Sequence, residues 1–123
     1  MVYAHTVKYL RIAPKKLSLM GKEVIGMHPK DASTLLSVQR QKAAHQLATA
    51  ITAAENNASQ SNIDLSKMVV IGVSAQKGPS FMRRFIVSKG RALPKAKPTT
   101  HAVIIFGEPK VKKPTKSTKK AEK

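Results

Sequence analysis

Residues 77–98 carry seven basic side chains and no carboxylate, and they lie between two apolar runs, residues 68–73 and 102–106, that read as strands. The basic residues are Lys77, Arg83, Arg84, Lys89, Arg91, Lys95 and Lys97. A connection of this length is unusual in a small domain. Most hairpin loops use about two to five residues, and longer ones are mainly functional or disordered. A projecting ribbon has little core of its own, and here no neighbouring acid offsets its charge. A dense polyanion is the partner that orders such a segment most readily, so RNA or DNA is the first expectation.

The chain has 123 residues and 41% hydrophobic content, which suits one domain with a modest core. Its formal charge is +17. Residues 1–76 contribute +5, residues 77–98 contribute +7 and residues 107–123 contribute +5, so most of the excess lies outside the part that reads as foldable. With no cysteine, disulfides and thiolate metal sites are excluded. No apolar run approaches the length of a membrane span, and residues 1–12 alternate where a leader would be continuously apolar. The expectation is a soluble protein of the cytosol or of an organelle matrix, without a signal peptide.

Along the chain, residues 2–12 alternate loosely, as a half-buried strand does. Pro14 suits a first helical position, and Leu17, Met20, Gly21, Val24 and Ile25 then form one apolar face. Gly26 ends that helix, and Pro29 with Asp31 opens a second holding Ala32, Leu35 and Leu36. A third helix spans about residues 41–56, with Ala44, Leu47, Ala48, Ile51, Ala54 and Ala58 on one stripe, and the polar residues 56–62 stop it. The runs at 68–73 and 102–106 are apolar on both faces and are expected to make the central pairing of an antiparallel sheet. This order predicts an α+β fold, a small three-stranded antiparallel sheet packed on three helices with a long protruding basic β-hairpin. The globular part is assigned to residues 1–76 and 99–106, the arm to 77–98, and a disordered Lys-rich tail to 107–123.

An enzyme is not expected, because six acidic residues are scattered without a catalytic pair. His5, His28, His45 and His101 show no metal-ligand spacing, and neither a metal nor a cofactor is expected. Gly78 and Pro79 lack the Gly-Lys-Ser/Thr of a phosphate loop and read as a turn or bulge at the foot of the arm. Lys89, Gly90 and Arg91 suit a hairpin tip against phosphate. Phe81, Met82, Phe85, Ile86 and Val87 interleave with Arg83 and Arg84, either to pack on bases or protein or to close a local core at the foot. Lys15, Lys16 and Lys22 lie outside the apolar face of the first helix, and added to the arm they extend a phosphate-binding surface.

Several of these segments together resemble a family. They are Arg11-Ile12-Ala13-Pro14-Lys15-Lys16-Leu17 leading to Val24-Ile25-Gly26; residues 42–57; Gly78-Pro79-Ser80-Phe81-Met82-Arg83-Arg84; Lys89-Gly90-Arg91-Ala92; and Thr99-Thr100-His101 leading into Val103-Ile104-Ile105. In this order and spacing, over residues 8–106, the chain resembles the universal large-subunit ribosomal protein twenty-two family, whose hairpin lines the peptide exit tunnel. The resemblance implies a structural protein, monomeric within the ribosome, that binds large-subunit ribosomal RNA beside neighbouring ribosomal proteins, stabilises its fold during assembly, and brings a hairpin tip near the nascent peptide. It implies RNA contacts at Arg83, Arg84, Lys89, Gly90 and Arg91 on the arm and at Lys15 and Lys16 on the body; Lys77, Lys95 and Lys97 extend the arm's charge. The chain departs from the family at Ala13, where a Ser cap is usual, at Ser18, where Arg is usual, at Gln76 and Lys77, where an acid precedes Gly-Pro, and at Pro94 and Pro98 on the returning strand. The rival expectation is an architectural DNA-binding protein with a basic β-arm, normally a dimer. Action at a membrane would need an amphipathic cationic helix, which the arm's β-branched and proline content opposes.

Overall fold

The structure, a computed structural model, describes residues 1–109. The expected Lys-rich tail lies outside the described residues from position 110 onward. In chain order the elements are β1 (Val2–Leu10), α1 (Pro14–Glu23), α2 (Pro29–Val38), α3 (Lys42–Gln60), β2 (Val69–Lys77), β3 (Phe81–Ile86), β4 (Ala92–Lys97) and β5 (Thr100–Gly107). They form an α+β fold, with a three-stranded antiparallel sheet in the order β1–β5–β2 and a separate two-stranded ribbon of β3 and β4.

β5 is the central strand, and its alternation explains the core. Thr100, Ala102, Ile104 and Phe106 all point to one side and are fully buried. Tyr3 of β1 stacks on Phe106 with ring centroids 6.3 Å apart, and Val70 of β2 completes the layer. The helices cover this side with Leu17 and Met20 from α1, Ala32 and Leu36 from α2, and Ala44, Leu47, Ile51 and Ala54 from α3. The alanines of α3 let its backbone approach its neighbours closely.

The expected central pairing of residues 68–73 with 102–106 needs a correction. β2 and β5 do pair, from Val69 with Gly107 to Lys77 with Thr100, but β1 occupies the other side of β5, so β2 is an edge strand. The apolar character of β2 has a local cause. The Gly26 N–H donates to the Val70 carbonyl at 2.7 Å and the Val70 N–H donates to the Met27 carbonyl at 2.9 Å, so the turn after α1 covers part of that edge. α1 also lies so close that a Cβ on Gly21 would stand 2.8 Å from the Val73 Cβ. Gly107, assigned from sequence to the tail, is the last residue of β5 and buried.

The third helix also runs a turn further than expected, to Gln60. Its stop is a Schellman turn in which Asn62 adopts φ 56°, the Asn62 N–H donates to the Ser59 carbonyl and the Ile63 N–H donates to the Ala58 carbonyl. The polar cluster therefore begins inside the helix, and only its last asparagine ends it. β1 closes earlier than residue 12, because the strand slips between Val7 and Leu10. There Tyr9 has φ 60°, and its N–H donates to His101 Nδ1 at 3.1 Å.

The ribbon leaves the sheet through a narrow neck. The Gly78 N–H donates to the Thr99 carbonyl at 2.9 Å, the buried Thr99 hydroxyl donates to the Pro79 carbonyl, and the buried Thr100 hydroxyl donates to the Ile12 carbonyl. A side chain at Gly78 would meet Thr99 Oγ1 at 2.7 Å, which accounts for glycine at this position. The expected turn at the foot of the arm is thus a short break between the sheet and the ribbon, held by two threonines.

Two phenylalanines test this division of labour. Phe106 is fully buried and Phe85 on the ribbon is 57% exposed. Phe106→Ala is expected to lower unfolding free energy by about 3–5 kcal/mol, and Phe85→Ala to change it by less than about 0.5 kcal/mol, measured by urea denaturation. Replacing residues 81–97 with a short glycine linker is expected to leave the far-ultraviolet helical signal per molecule intact. Loss of that signal would show that the ribbon carries the fold.

Candidate nucleic-acid interface

The ribbon β3–β4 pairs in register from Phe81 with Lys97 to Ile86 with Ala92. Every residue of both strands is exposed. The Val87 N–H donates to the Arg91 carbonyl at 2.8 Å, so 87 and 91 form a hydrogen-bonded pair, and alternation makes Arg84 opposite Pro94 a non-bonded pair. The imide nitrogen of Pro94 therefore points away from its partner strand, where no donor is needed, and the returning strand continues through the proline. The tip holds two consecutive left-handed residues, Lys89 at φ 62° and Gly90 at φ 70°. The turn runs from Ser88 to Gly90 and so contains Lys89 and Gly90 of the expected tip, with Arg91 the first residue paired beyond it.

Strand alternation sorts the ribbon's side chains into two faces. Arg83, Arg91, Lys95 and Lys97 share one face with Phe81, Phe85 and Leu93. The other face has Arg84 alone among Met82, Ile86, Ala92, Pro94 and Ala96. Of the two readings of the apolar residues, a local core fails for Met82, Phe85 and Ile86, which are exposed. Only Phe81, at the foot, gains a specific partner, the Arg11 guanidinium lying 5.4 Å from its ring centroid.

At that foot the ribbon and the body enclose a cleft of about 930 Å³. Its cations are Arg11, Lys16, Lys42, Arg83 and Lys97, and among the described residues no carboxylate lines it. Lys16 lies in the first turn of α1 and Lys42 begins α3, so two helix N-termini meet here. Neither has a side-chain cap; Ala13 and Gln41 stand at the cap positions, and neither first turn contains an acid. The missing cap expected from Ala13 is thus real, and both helix ends add partial positive charge to the cleft.

Of the residues singled out from sequence, Lys16, Arg83 and Lys97 line this cleft. Lys15 is exposed beside it on α1, and Lys77 is exposed at the end of β2. Arg84, Lys89, Gly90, Arg91 and Lys95 lie outside its lining, along the ribbon and at its tip. Sequence reasoning missed Arg11 and Lys42 as members of one site. The available signal was weak: each stands near the start of a helix, and only the return of the ribbon beside both starts brings them together.

Three of the carboxylates are engaged elsewhere. Glu23 accepts from Gln39 Nε2 at 2.7 Å, Glu108 meets the amino terminus at 3.5 Å, and Asp64 accepts the Ser66 N–H, its carboxyl held below the usual range first by the Ser66 side chain and then by that N–H. Partial burial raises Glu55 above the usual carboxylate range against the opposing pull of Lys30 and His28. Among the described residues no group of three or more His, Asp or Glu is placed to hold a metal ion, and no Lys or Arg side chain is in a salt bridge. No helix of the described residues is long and apolar enough to cross a membrane.

Comparison with known proteins bears directly on this cationic ribbon and its body. The family model described as ribosomal protein L22p/L17e matches residues 5–107. Large ribosomal subunit protein uL22 of Anaeromyxobacter sp. (strain K) is 35% identical over 105 residues, covering 83% of this chain and 71% of that protein. The protein of the same name from Nitratidesulfovibrio vulgaris (strain DP4) is 34% identical over 104 residues, covering 84% and 93% respectively. That of Helicobacter pylori (strain Shi470) is 31% identical over 114 residues, covering 93% and 91%. The match spans the helices, the sheet and the inserted ribbon alike, and the chain belongs to the ribosomal protein L22p/L17e family.

Proposed function

We propose that this protein is a structural constituent of the large ribosomal subunit, bound to its RNA through the basic face of the ribbon and the cleft at its foot. The observation that carries this reading is the state of the cations. Lys and Arg side chains without a carboxylate partner cover an arm that has no core, and four of them share one face. In isolation that face repels itself, whereas phosphates neutralise it and release counterions. The body needs no substrate pocket for such a role.

Shape supports a finer assignment. The six-residue strands of the ribbon carry the tip about 20 Å beyond the neck. An arm of that reach enters folded RNA where a globular body cannot. On this reading the tip at Lys89 and Gly90 stands in the wall of the nascent-peptide exit tunnel, the body binds RNA and neighbouring proteins at the surface, and one copy is present in each particle. The protein then resides wherever its ribosomes do. The rival reading, an architectural DNA-binding protein, would have the same charge acting on a duplex as a dimer.

RNA affinity is expected to fall with salt at a log–log slope of about −4 to −9, as for roughly five to ten phosphate contacts. Arg83→Ala with Lys97→Ala should make that slope shallower by about two, one per lost contact. A flat response in filter binding would exclude a phosphate-dominated interface, and recovery from cells on DNA as a dimer, with none on the large subunit after a high-salt gradient, would favour the rival. For the tip, a photo-crosslinker at position 89 is expected to label a stalled nascent chain in assembled ribosomes. Labelling confined to RNA or to other ribosomal proteins would place the tip outside the tunnel wall.

A further inference from the structure

The cleft at the ribbon's foot differs from a surface that merely collects phosphates. Its rim is cationic, but Ile12, Leu19, Ala43 and Phe81 contribute apolar surface to its lining. A duplex laid across the rim would reach the cations through its phosphates and leave those apolar groups without a partner. The volume of about 930 Å³ is within the roughly 300–1,000 Å³ typical of sites that enclose one small organic group. Arg11 over Phe81 supplies a guanidinium plane on an aromatic ring, a combination on which a nucleobase stacks. Gln41 lines the same cleft with an amide that both donates and accepts, as a base edge requires.

Resting on the RNA-binding reading above, we propose that this cleft receives one unpaired nucleotide turned out of the RNA, its base seated on the apolar lining and its flanking phosphates held by the cations of the rim. Arg83 and Lys97 approach from the ribbon, and Lys16 and Lys42 from the starts of α1 and α3, so the two phosphates on either side of the base each meet a cation from a different element. The body thereby reads a bulge, and the ribbon is held against the body by the same nucleotide. An acidic peptide would satisfy the rim but would give the stacked Arg11 and Phe81 nothing planar to hold.

The test uses the intact protein and three RNA hairpins that differ at one position: fully paired, carrying a single-nucleotide bulge, and carrying the same bulge without its base. At fixed salt the bulged hairpin is expected to bind about tenfold tighter than the paired one, the scale of one stacked base, and the abasic bulge to lose that advantage. Leu19→Trp, at a half-exposed position on α1, fills the cleft and should abolish the preference for the bulged over the paired hairpin. Equal affinity for all three hairpins overturns the proposal while sparing the RNA-binding reading. So does an abasic bulge that binds as well as the intact one, since the protein would then recognise only the kink. A preference that survives Leu19→Trp, in a variant whose helical signal matches the parent, places the base elsewhere and also overturns it. Displacement of the bulged hairpin by an acidic peptide at a charge concentration where the paired hairpin stays bound would assign the cleft to a protein segment instead. Failure to bind any of the RNAs removes both readings together.

Discussion

The pairing of β5 with β1 on one side and β2 on the other is the interaction on which the rest depends. β5 supplies Ala102, Ile104 and Phe106 to the core, beside Val70 of β2. It also begins at Thr100, whose buried hydroxyl reaches the Ile12 carbonyl in the segment leading into α1. The strand that completes the sheet therefore also fixes where the ribbon re-enters the body and where α1 starts. Because the ribbon is an insertion between β2 and β5, its two feet are held by the sheet and its outer part is left to solvent.

Charge is distributed to match that division. Among the described residues the core holds no charged side chain, and three of the acids are spent on a local turn, an amide contact and the amino terminus. What remains is a surplus of cations whose mutual repulsion the fold does not relieve internally. Placing many of them on a two-stranded ribbon limits the penalty, since repulsion there strains a projecting element and not the packed body. The two helix starts beside the neck follow the same pattern, since neither has a side-chain cap and both bring a positive dipole end to the cleft.

Most of the fold was legible in the sequence because its signals are local. The 3.6-residue spacing of Leu17, Met20 and Gly21, the proline starts at Pro14 and Pro29, and the alanine stripe of α3 each report on their own element. What escaped was set by tertiary contact. Asn56 and Asn57 look like a stop, yet the helix continues because Ala58 is buried and only Asn62 takes the left-handed turn. Residues 68–73 look like a central strand because the 26–27 turn and α1 bury what would otherwise be an open edge. The arm and its tip were readable from charge and from Lys89-Gly90. The cleft was not, since Arg11, Lys42, Arg83 and Lys97 are brought together only by the angle at which the ribbon leaves the neck.

The strand order carries a consequence for how the molecule comes into being. Val2 pairs with Gly107, so the first strand has no sheet partner until the last one is made. Such long-range closure is entropically expensive and slow compared with the helix–helix contacts that intervene. During synthesis α1, α2 and α3 emerge together and can associate early, but their apolar faces stay without a floor until the whole basic ribbon has left the ribosome. A nascent intermediate of this protein is therefore a loose helical cluster with a cationic arm already exposed, able to meet a polyanion before its own sheet has closed.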